Sequence, residues 1–416
     1  MRKRLLKLLG PGFVTGAADD DPSGIATYSQ TGAAFGLSQL WLVLFTYPFM
    51  VAVQEMCGRI GLVTGRGLAG VIRAHYSRKA LALAVLILLI VNTITIGADL
   101  GAMASSLQLV LPIPFFSLLC GITAFCLLLQ IFVPYPTYAS FLKYFALALL
   151  AYVVTALLVT HEWGVVLHSL LVPHIEFSRT YVLNIAAFLG TTISPYLFFW
   201  QADEEVEEEV VTRKLRFMGK GVPKIGIKDI RAMRADTMVG MFFSNAISFF
   251  IILTVGITIG SGASIDTASD AAAALRPIAG DFAYFIFALG VVGTGLLAVP
   301  VLAGSAGYAV AEAMGWKEGL GKRFGQAPGF YLVILLATLF GLFVNVSSIG
   351  SMTMLYYAAM LNGVLAPPLM LIIILICNNK KILGSRTNGL LSNLLGITIT
   401  VIMAVVAVAT IWQLFV

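Results

Sequence analysis

The sequence predicts an all-α membrane protein with eleven transmembrane helices, of which the first and the sixth are broken. Composition, segment length and the distribution of basic residues support this prediction. The 416 residues are 59% hydrophobic and only 11% charged, whereas soluble domains carry about 25% charged residues. Since a spanning helix needs about 20 mostly apolar residues, the chain has room for ten or eleven spans. We therefore predict a single transmembrane domain over residues 1–416.

Apolar stretches give the positions of the predicted helices. They run over 12–36, 39–62, 80–109, 115–133, 140–160, 180–200, 236–260, 281–312, 328–345, 350–376 and 389–414. The basic start, residues 1–7, is followed by Asp19, Asp20 and Asp21 instead of a long apolar run. We therefore interpret it as a cytoplasmic lead-in and not as a signal peptide.

The basic residues set the orientation, because cytoplasmic loops of membrane proteins carry an excess of Lys and Arg. With eleven spans and a cytoplasmic N-terminus, 24 of the 26 Lys and Arg residues fall on the cytoplasmic side. Arg179 and Arg276 are the two exceptions. This bias predicts a multi-pass protein of the cell membrane with its C-terminus outside. The net charge of +6 then reflects loops beside the lipid bilayer, and we expect no nucleic-acid partner.

The segment 203–236 is the longest polar stretch. It opens with a run of acidic residues over 203–209 and then becomes basic. One interpretation is a solvated cytoplasmic helix that continues the sixth span. The other is an acidic vestibule that gathers cations at the inner mouth.

The first span is interrupted at Asp21-Pro22-Ser23-Gly24. Pro22 removes a backbone donor and disfavours helix at Asp21, while Gly24 permits further unwinding. Ionisable residues at membrane depth are costly and usually functional. The alternative, a short loop outside the membrane, fits less well because the flanks are too short to span separately.

The sixth span is interrupted at Ser194-Pro195, after Thr191 and Thr192. Alone, this pattern also fits a simple proline kink. However, the two interruptions fall in the first helix of each set of five, which is typical of inverted-repeat transporters. We therefore predict repeats at about 10–160 and 180–376, an extra helix at 389–414, and a binding site where the breaks meet.

The residues at the breaks favour a cation as the ligand. Asp19, Asp20 and Asp21 are acidic, and the other polar groups are hydroxyls, the Gln30 amide and backbone carbonyls. Oxygen ligands suit Mg²⁺, Ca²⁺ or Mn²⁺ better than the later transition metals. The predicted metal-contacting residues are Asp21, Gly24, Thr191, Ser194, Asp20 and Gln30.

These motifs resemble a known family. Asp21-Pro22-Ser23-Gly24 resembles the Asp-Pro-Gly-Asn signature of the NRAMP divalent-metal transporters, and 191–196 resembles their Ala-x-x-Met-Pro-His motif. The resemblance covers nearly the whole pattern of spans. It implies a LeuT-type fold of two inverted five-helix repeats with helices 1 and 6 broken.

Four departures from the family pattern bear on the substrate. Gly24 replaces the Asn, Ser194 replaces the Met, Tyr196 and Gln201 replace histidines, and Ala102 replaces the second acid after Asp99. Without the Met, the preference for Mn²⁺ or Fe²⁺ is lost. Without the histidines and the acid, proton coupling has no evident group. This pattern is similar to the NRAMP-related magnesium transporters, which implies Mg²⁺ as the transported ion, with Mn²⁺ as a further candidate.

Alternatives remain at this point. An ordinary proton-coupled Mn²⁺ or Fe²⁺ importer could tolerate the changed ligands, and Asp99 could be either a transport residue or a buried remnant. We find no motif of an enzyme and none that implies a resident cofactor. The expected partners are the divalent ion and the lipid bilayer, with the chain acting as a monomer.

Overall fold

The structure is a computed structural model that describes residues 10–133, 148–347 and 349–415. In this part of the chain the backbone is almost entirely helical, and its only extended pairing is an isolated bridge between Phe217 and Lys220. Eight helical segments are long and apolar enough to cross a membrane. The broken first segment and two shorter apolar helices bring the described spans to eleven, which confirms the predicted fold class.

We number the spans in chain order and divide the two broken ones into halves. They are α1a (Pro11–Asp19), α1b (Pro22–Phe35), α2 (Trp41–Thr64), α3 (Arg78–Gln108), α4 (Phe115–Phe132), α5 (Leu150–Val159), α6a (Arg179–Thr192), α6b (Pro195–Val211), α7 (Ile227–Thr258), α8 (Phe282–Met314), α9 (Pro328–Val344), α10 (Ser351–Cys377) and α11 (Leu390–Phe415). Short helices at Leu68–His75 and Trp163–Leu171 connect α2 to α3 and α5 to α6a. The predicted lead-in over 1–7 and residues 140–147 of the fifth span lie outside the described residues.

The start of α7 differs from the prediction. The helix begins at Ile227, nine residues before the expected position. Its first turns carry charged residues that lower the local hydropathy, yet they are amphipathic, since Ile230 and Met233 are buried while Arg231 is exposed. The Asp229 carboxylate accepts a hydrogen bond from the Gly226 N–H at 2.7 Å and fixes the helix start.

The acidic run after the sixth break is helical, as predicted, but three of its acidic side chains are buried. Asp203, Glu205 and Glu209 are 0%, 4% and 1% exposed. Asp203 lies next to Gly67, on another side of the helix from Glu205. Glu205 and Glu209 are four residues apart and share the side that packs against α2. There, an added Cβ on Gly61 of α2 would lie only 2.1 Å from the Ala202 carbonyl oxygen. The prediction of a solvated helix is therefore wrong for these three residues, because close packing against neighbouring helices excludes water there, whereas Glu208 is exposed.

Small residues let the broken helices approach their neighbours closely. An added Cβ on Gly16 of α1a would lie 2.2 Å from the Gly240 carbonyl oxygen of α7. On the other broken helix, an added Cβ on Gly190 of α6a would lie 2.0 Å from the Ala359 carbonyl oxygen of α10. Such small-residue contacts are common between membrane helices. They hold α1a on α7 and α6a on α10.

Candidate functional site

The break in the first span is built around Asp21. This residue has extended backbone angles and is the N-cap of α1b, with Pro22 in the first helical position. Its Oδ1 accepts hydrogen bonds from the Gly24 N–H at 2.7 Å and from the Ser23 hydroxyl at 2.6 Å. A carboxylate is favoured at a helix N-terminus by the helix dipole. One oxygen of Asp21 is thus used by the helix cap, and Oδ2 faces away from it.

The break in the sixth span has no charge. α6a ends at Thr192, Ile193 and Ser194 leave the helical conformation, and Pro195 begins α6b. The Ser194 hydroxyl lies 2.8 Å from the Gly190 carbonyl oxygen and 2.9 Å from the Thr191 carbonyl oxygen. It therefore satisfies carbonyl groups that the interrupted helix leaves without their usual donors.

The structure brings the two breaks together. The Ser23 and Thr191 hydroxyl oxygens are 3.4 Å apart, and those of Tyr28 and Thr192 are 3.2 Å apart. The Tyr196 hydroxyl donates to the Ala18 carbonyl oxygen at 3.0 Å and lies 3.4 Å from Asp21 Oδ2. All of these side chains are buried. The result is an oxygen-rich pocket between α1 and α6, with Asp21 as its anionic group.

Four of the six predicted metal-contacting residues lie at this junction: Asp21, Gly24, Thr191 and Ser194. Asp20 points elsewhere, because its Oδ1 and the Oδ2 of Asp19 both accept from the Ser244 hydroxyl of α7, at 3.1 and 2.6 Å. Gln30 is also separate, since its Oε1 accepts from the Ile265 N–H at 2.8 Å.

Gln30 lines a cavity of about 250 Å³ at the end of the bundle opposite the start of α1. Asn184, Asp266 and Tyr356 also line it, and Ala26 lies at its boundary. Because Ala26 is within one helical turn of Ser23, the cavity reaches close to the junction of the two breaks. Gln30 therefore lines a cavity near the junction and does not lie beside Asp21.

Several residues at the site were not predicted. Tyr196 follows Pro195 directly, so its position beside the break was available from the motif. Thr27 lies one turn beyond Ser23, and its buried hydroxyl has no partner among the described residues. Ser244 lies 225 residues from Asp19 in sequence, and no local pattern indicates that contact.

A thioether also lies near the first break. The sulfur of Met103 on α3 and the Pro22 ring both approach Gly295 of α8, where an added Cβ would lie 2.5 Å from the sulfur and 3.2 Å from Pro22 Cγ. Met103 is one turn beyond Asp99 on the same helix. Asp99 is fully buried, and neither of its carboxylate oxygens has a hydrogen-bond partner among the described residues.

The three acidic side chains at the first break have no basic partner in the described residues. Asp19 and Asp20 lie at the C-terminal end of α1a, where the helix dipole disfavours an anion. None of the ion pairs in the described residues involves Asp19, Asp20 or Asp21. No three His, Cys, Asp or Glu side chains in the described ranges converge on one point as metal ligands. A cation at the junction would thus meet one carboxylate oxygen, hydroxyls and carbonyls.

A family model described as natural resistance-associated macrophage protein-like, Nramp, matches residues 12–413. The chain belongs to the Nramp family. Among its curated relatives, Metal transporter Nramp4 of Oryza sativa subsp. japonica is 29% identical over 62% of this chain and 44% of that protein. The Divalent metal cation transporter MntH of Pectobacterium carotovorum is 26% identical over 71% of this chain and 69% of that protein. The chain thus spans less than half the length of the rice relative.

Solved structures of Nramp-type transporters share the fold of this chain. The manganese transporter of Eremococcus coleocola superposes with a TM-score of 0.78 at 15% identity, over 99% of this chain and 87% of that one. Mhp1, a nucleobase-cation-symport-1 family transporter, gives a TM-score of 0.61 at 11% identity. These likenesses confirm the LeuT-type arrangement with broken first and sixth helices.

Proposed function

We propose that this Nramp-family chain is a divalent-metal transporter that carries Mg²⁺, with Mn²⁺ as a second substrate, into the cytoplasm by alternating access without proton coupling. The observation that carries the proposal is the junction of the two breaks. There Asp21 presents one carboxylate oxygen, Oδ2, beyond its helix cap, and the groups around it from both breaks are hydroxyls and carbonyls. The relatives named as metal and divalent-metal-cation transporters support the substrate class.

The preference for Mg²⁺ follows from the ligands. Mg²⁺ keeps several of its waters and uses only one or two carboxylates. Ser194 stands where the family motif has a Met, so the sixth helix contributes no soft ligand. The Asp19 and Asp20 carboxyl groups lie close by, where both accept from the Ser244 hydroxyl. In this proposal Asp21 Oδ2 binds the ion, while Thr191, Ser194 and the backbone at Gly24 contact the ion or its waters.

The direction of transport follows from the proposed orientation. The distribution of basic residues supports a cytoplasmic N-terminus and an outer C-terminus, with repeats at about 10–160 and 180–376, the extra helix at 389–414, and the chain acting as a monomer. A membrane potential of 100 mV, inside negative, favours entry of a divalent cation by about 4.6 kcal/mol. Uptake thus requires no proton gradient.

Uptake into proteoliposomes tests the proposal. We expect Mg²⁺ to enter under a negative-inside potassium diffusion potential without acidifying the lumen, as followed by an enclosed Mg²⁺ dye and a pH dye in parallel. The control variant is Asp281→Asn, which removes an acidic side chain outside the site that is 96% exposed. It should transport Mg²⁺ as the wild type does. Absence of Mg²⁺ entry, with intact Mn²⁺ entry and acidification, would contradict the choice of ion.

The second candidate is a proton-coupled Mn²⁺ or Fe²⁺ importer. Two observations favour it: the Met103 thioether beside Pro22, and the buried Asp99 carboxyl without a partner in the described residues. The name manganese transporter belongs to the structural neighbour. Met103→Leu separates the two candidates because Leu has a similar volume and no sulfur. Loss of Mn²⁺ uptake in this variant, together with absence of Mg²⁺ uptake in the wild type, would favour the second candidate, whereas Mg²⁺ uptake retained in the variant would favour the first.

A further inference from the structure

A second polar cavity, of about 260 Å³, lies away from the breaks. It forms where the end of α2, the first turns of α7 and the turn before α11 meet, and its polar lining consists of Arg59, Arg231, Arg234, Ser385, Arg386 and Thr387. None of these residues belongs to the candidate metal site. Four guanidinium groups therefore surround one cavity in a protein with only 26 basic residues.

One carboxylate opposes these four charges. Glu55 Oε2 lies 3.1 Å from Arg59 Nη2, and Glu55 Oε1 accepts from Arg234 Nε at 2.7 Å. Arg231 and Arg386 form no ion pair within the described residues. The nearby Asp229 is paired with Lys214 at 2.8 Å. The lining of the cavity thus carries an excess of three positive charges once Glu55 is counted.

Arg59 is the buried member of the four arginines, and hydrogen bonds to the turn before α11 hold its side chain. It is 2% exposed, and its Nη1 donates to the Arg386 carbonyl oxygen at 3.0 Å while its Nη2 donates to Asn388 Oδ1. Its Nε is buried and has no partner in the described residues. A buried donor without a partner costs free energy. The cavity lining therefore combines one buried and anchored arginine with the exposed Arg231 and Arg234.

We propose that this cavity binds the phosphate group of an anionic phospholipid. Guanidinium groups match the oxygens of a phosphate with paired hydrogen bonds, and the Ser385 and Thr387 hydroxyls add donors. Basic pockets between spanning helices on the cytoplasmic side are typical binding places for lipid headgroups. A free phosphate shares this chemistry, so the surroundings of the cavity decide between the two sources.

The apolar rim favours the lipid. Ile227 and Ile230 complete the cavity lining, and Ile227 is 53% exposed. α11 begins three residues after Thr387, and its first residues, Leu390 and Leu391, are 89% and 68% exposed. Exposed apolar residues directly beside a basic pocket provide a surface for acyl chains. A soluble phosphate would gain nothing from them.

Lipid binding to the full-length protein tests this proposal. Delipidated protein in detergent is titrated with phosphatidylglycerol or phosphatidylcholine, and bound lipid is counted by native mass spectrometry. We expect preferential retention of phosphatidylglycerol, reduced at least about tenfold in Arg231→Gln/Arg386→Gln, because two charge-assisted contacts are lost. These arginines have no ion pair in the described part of the protein, so the fold should tolerate the change. Size-exclusion profiles check this.

The matched control is Lys380→Gln/Lys381→Gln. It removes the same charge from exposed positions close in sequence to the cavity, and we expect it to leave binding unchanged. Equal losses in both double variants, or no preference for phosphatidylglycerol over phosphatidylcholine, would overturn the proposal. A second outcome would also overturn it. If millimolar inorganic phosphate raises the melting temperature of the wild type but not of the arginine variant, and phosphatidylglycerol has no effect, the ligand is a soluble anion.

Discussion

The two broken helices satisfy their interrupted backbone with different side chains, one charged and one neutral. In the first span, the interrupted backbone is capped by the charged side chain of Asp21, which receives hydrogen bonds from the Gly24 N–H and the Ser23 hydroxyl. In the sixth span, the neutral Ser194 hydroxyl returns to the carbonyls of Gly190 and Thr191. One break therefore adds negative charge to the site, and the other adds neutral oxygen atoms.

This difference separates two contributions to ion binding. The charged break provides the long-range attraction for a cation, whereas the neutral break fixes hydroxyls and carbonyls at short range. The effect of removing either group should thus differ in size and in kind.

Replacing Asp21 should have the largest effect. Asp21→Ala removes both the helix cap and the carboxylate, so we expect Mg²⁺ uptake to fall to the liposome background and stability to drop by about 1 kcal/mol. Asp21→Ser restores a capping oxygen but not the charge. It should recover thermal stability, measured by unfolding in detergent, without recovering uptake. Wild-type uptake in Asp21→Ser would mean that this residue only caps the helix.

Replacing Ser194 should have an intermediate effect. Ser194→Ala leaves two carbonyls in the sixth break without their donor, and it removes one neutral oxygen from the site while the charge stays. We expect the apparent affinity for Mg²⁺ to weaken several-fold, at a cost of about 1 kcal/mol, with the maximal uptake rate largely kept. Thr192→Val is the comparison variant, since its hydroxyl contacts Tyr28 and Phe188. If Thr192→Val weakens the apparent affinity for Mg²⁺ more than Ser194→Ala does, the ion binds closer to Tyr28 than proposed.

The smallest effect on uptake is expected at the loop after α8, where Glu318 is buried near Glu312 and near Glu207 of α6b. Glu318, in the loop after α8, is 7% exposed. Burial, followed by the neighbouring Glu312, raises the pKa of Glu318 from 4.5 to about 9. The folded protein therefore binds this proton more tightly than the unfolded chain does. Its contribution to stability is complete below pH 4.5 and is lost as the pH rises toward about 9.

Glu318→Gln should flatten this dependence. Melting temperatures measured in detergent between pH 5 and pH 9 should decline less in this variant than in the wild type. Asp281→Asn, at an exposed loop position, provides the control and should follow the wild type. A steeper decline in Glu318→Gln would mean that the Glu318 carboxylate stabilises the loop in its charged form.

The sequence was sufficient for the spans, the breaks and the Asp21 junction, because each depends on local composition. Pro22 and Pro195 interrupt long apolar stretches, so the hydropathy pattern and the two prolines locate both breaks. The start of α7 was missed because its charged residues hide an amphipathic helix from a hydropathy measure. Similarly, the burial of Asp203 could not be predicted from the sequence, because it opens a run of acidic residues that is typical of a solvated helix.

The contacts of the site were less predictable. Ser244 meets Asp19 and Asp20, and Ile265 meets Gln30, across more than 200 residues of sequence. These pairs depend on how the helices pack, and a single sequence carries no record of that. Met103 was within reach of a prediction, since it lies one helical turn from Asp99. Sequence reasoning restricted to the breaks excluded it.

The attachment of α1a to α7 has a mechanical consequence. α7 holds the shorter helix at its start, where Asp236 accepts from the Gly12 N–H at 2.7 Å, at mid-length through Gly16 and Gly240, and at its end through Ser244. Because these three contacts span its length, α1a cannot tilt independently of α7. Any movement at this end of the bundle must therefore carry α1a and the first half of α7 together as one unit. The break at Asp21 lies at the end of that unit.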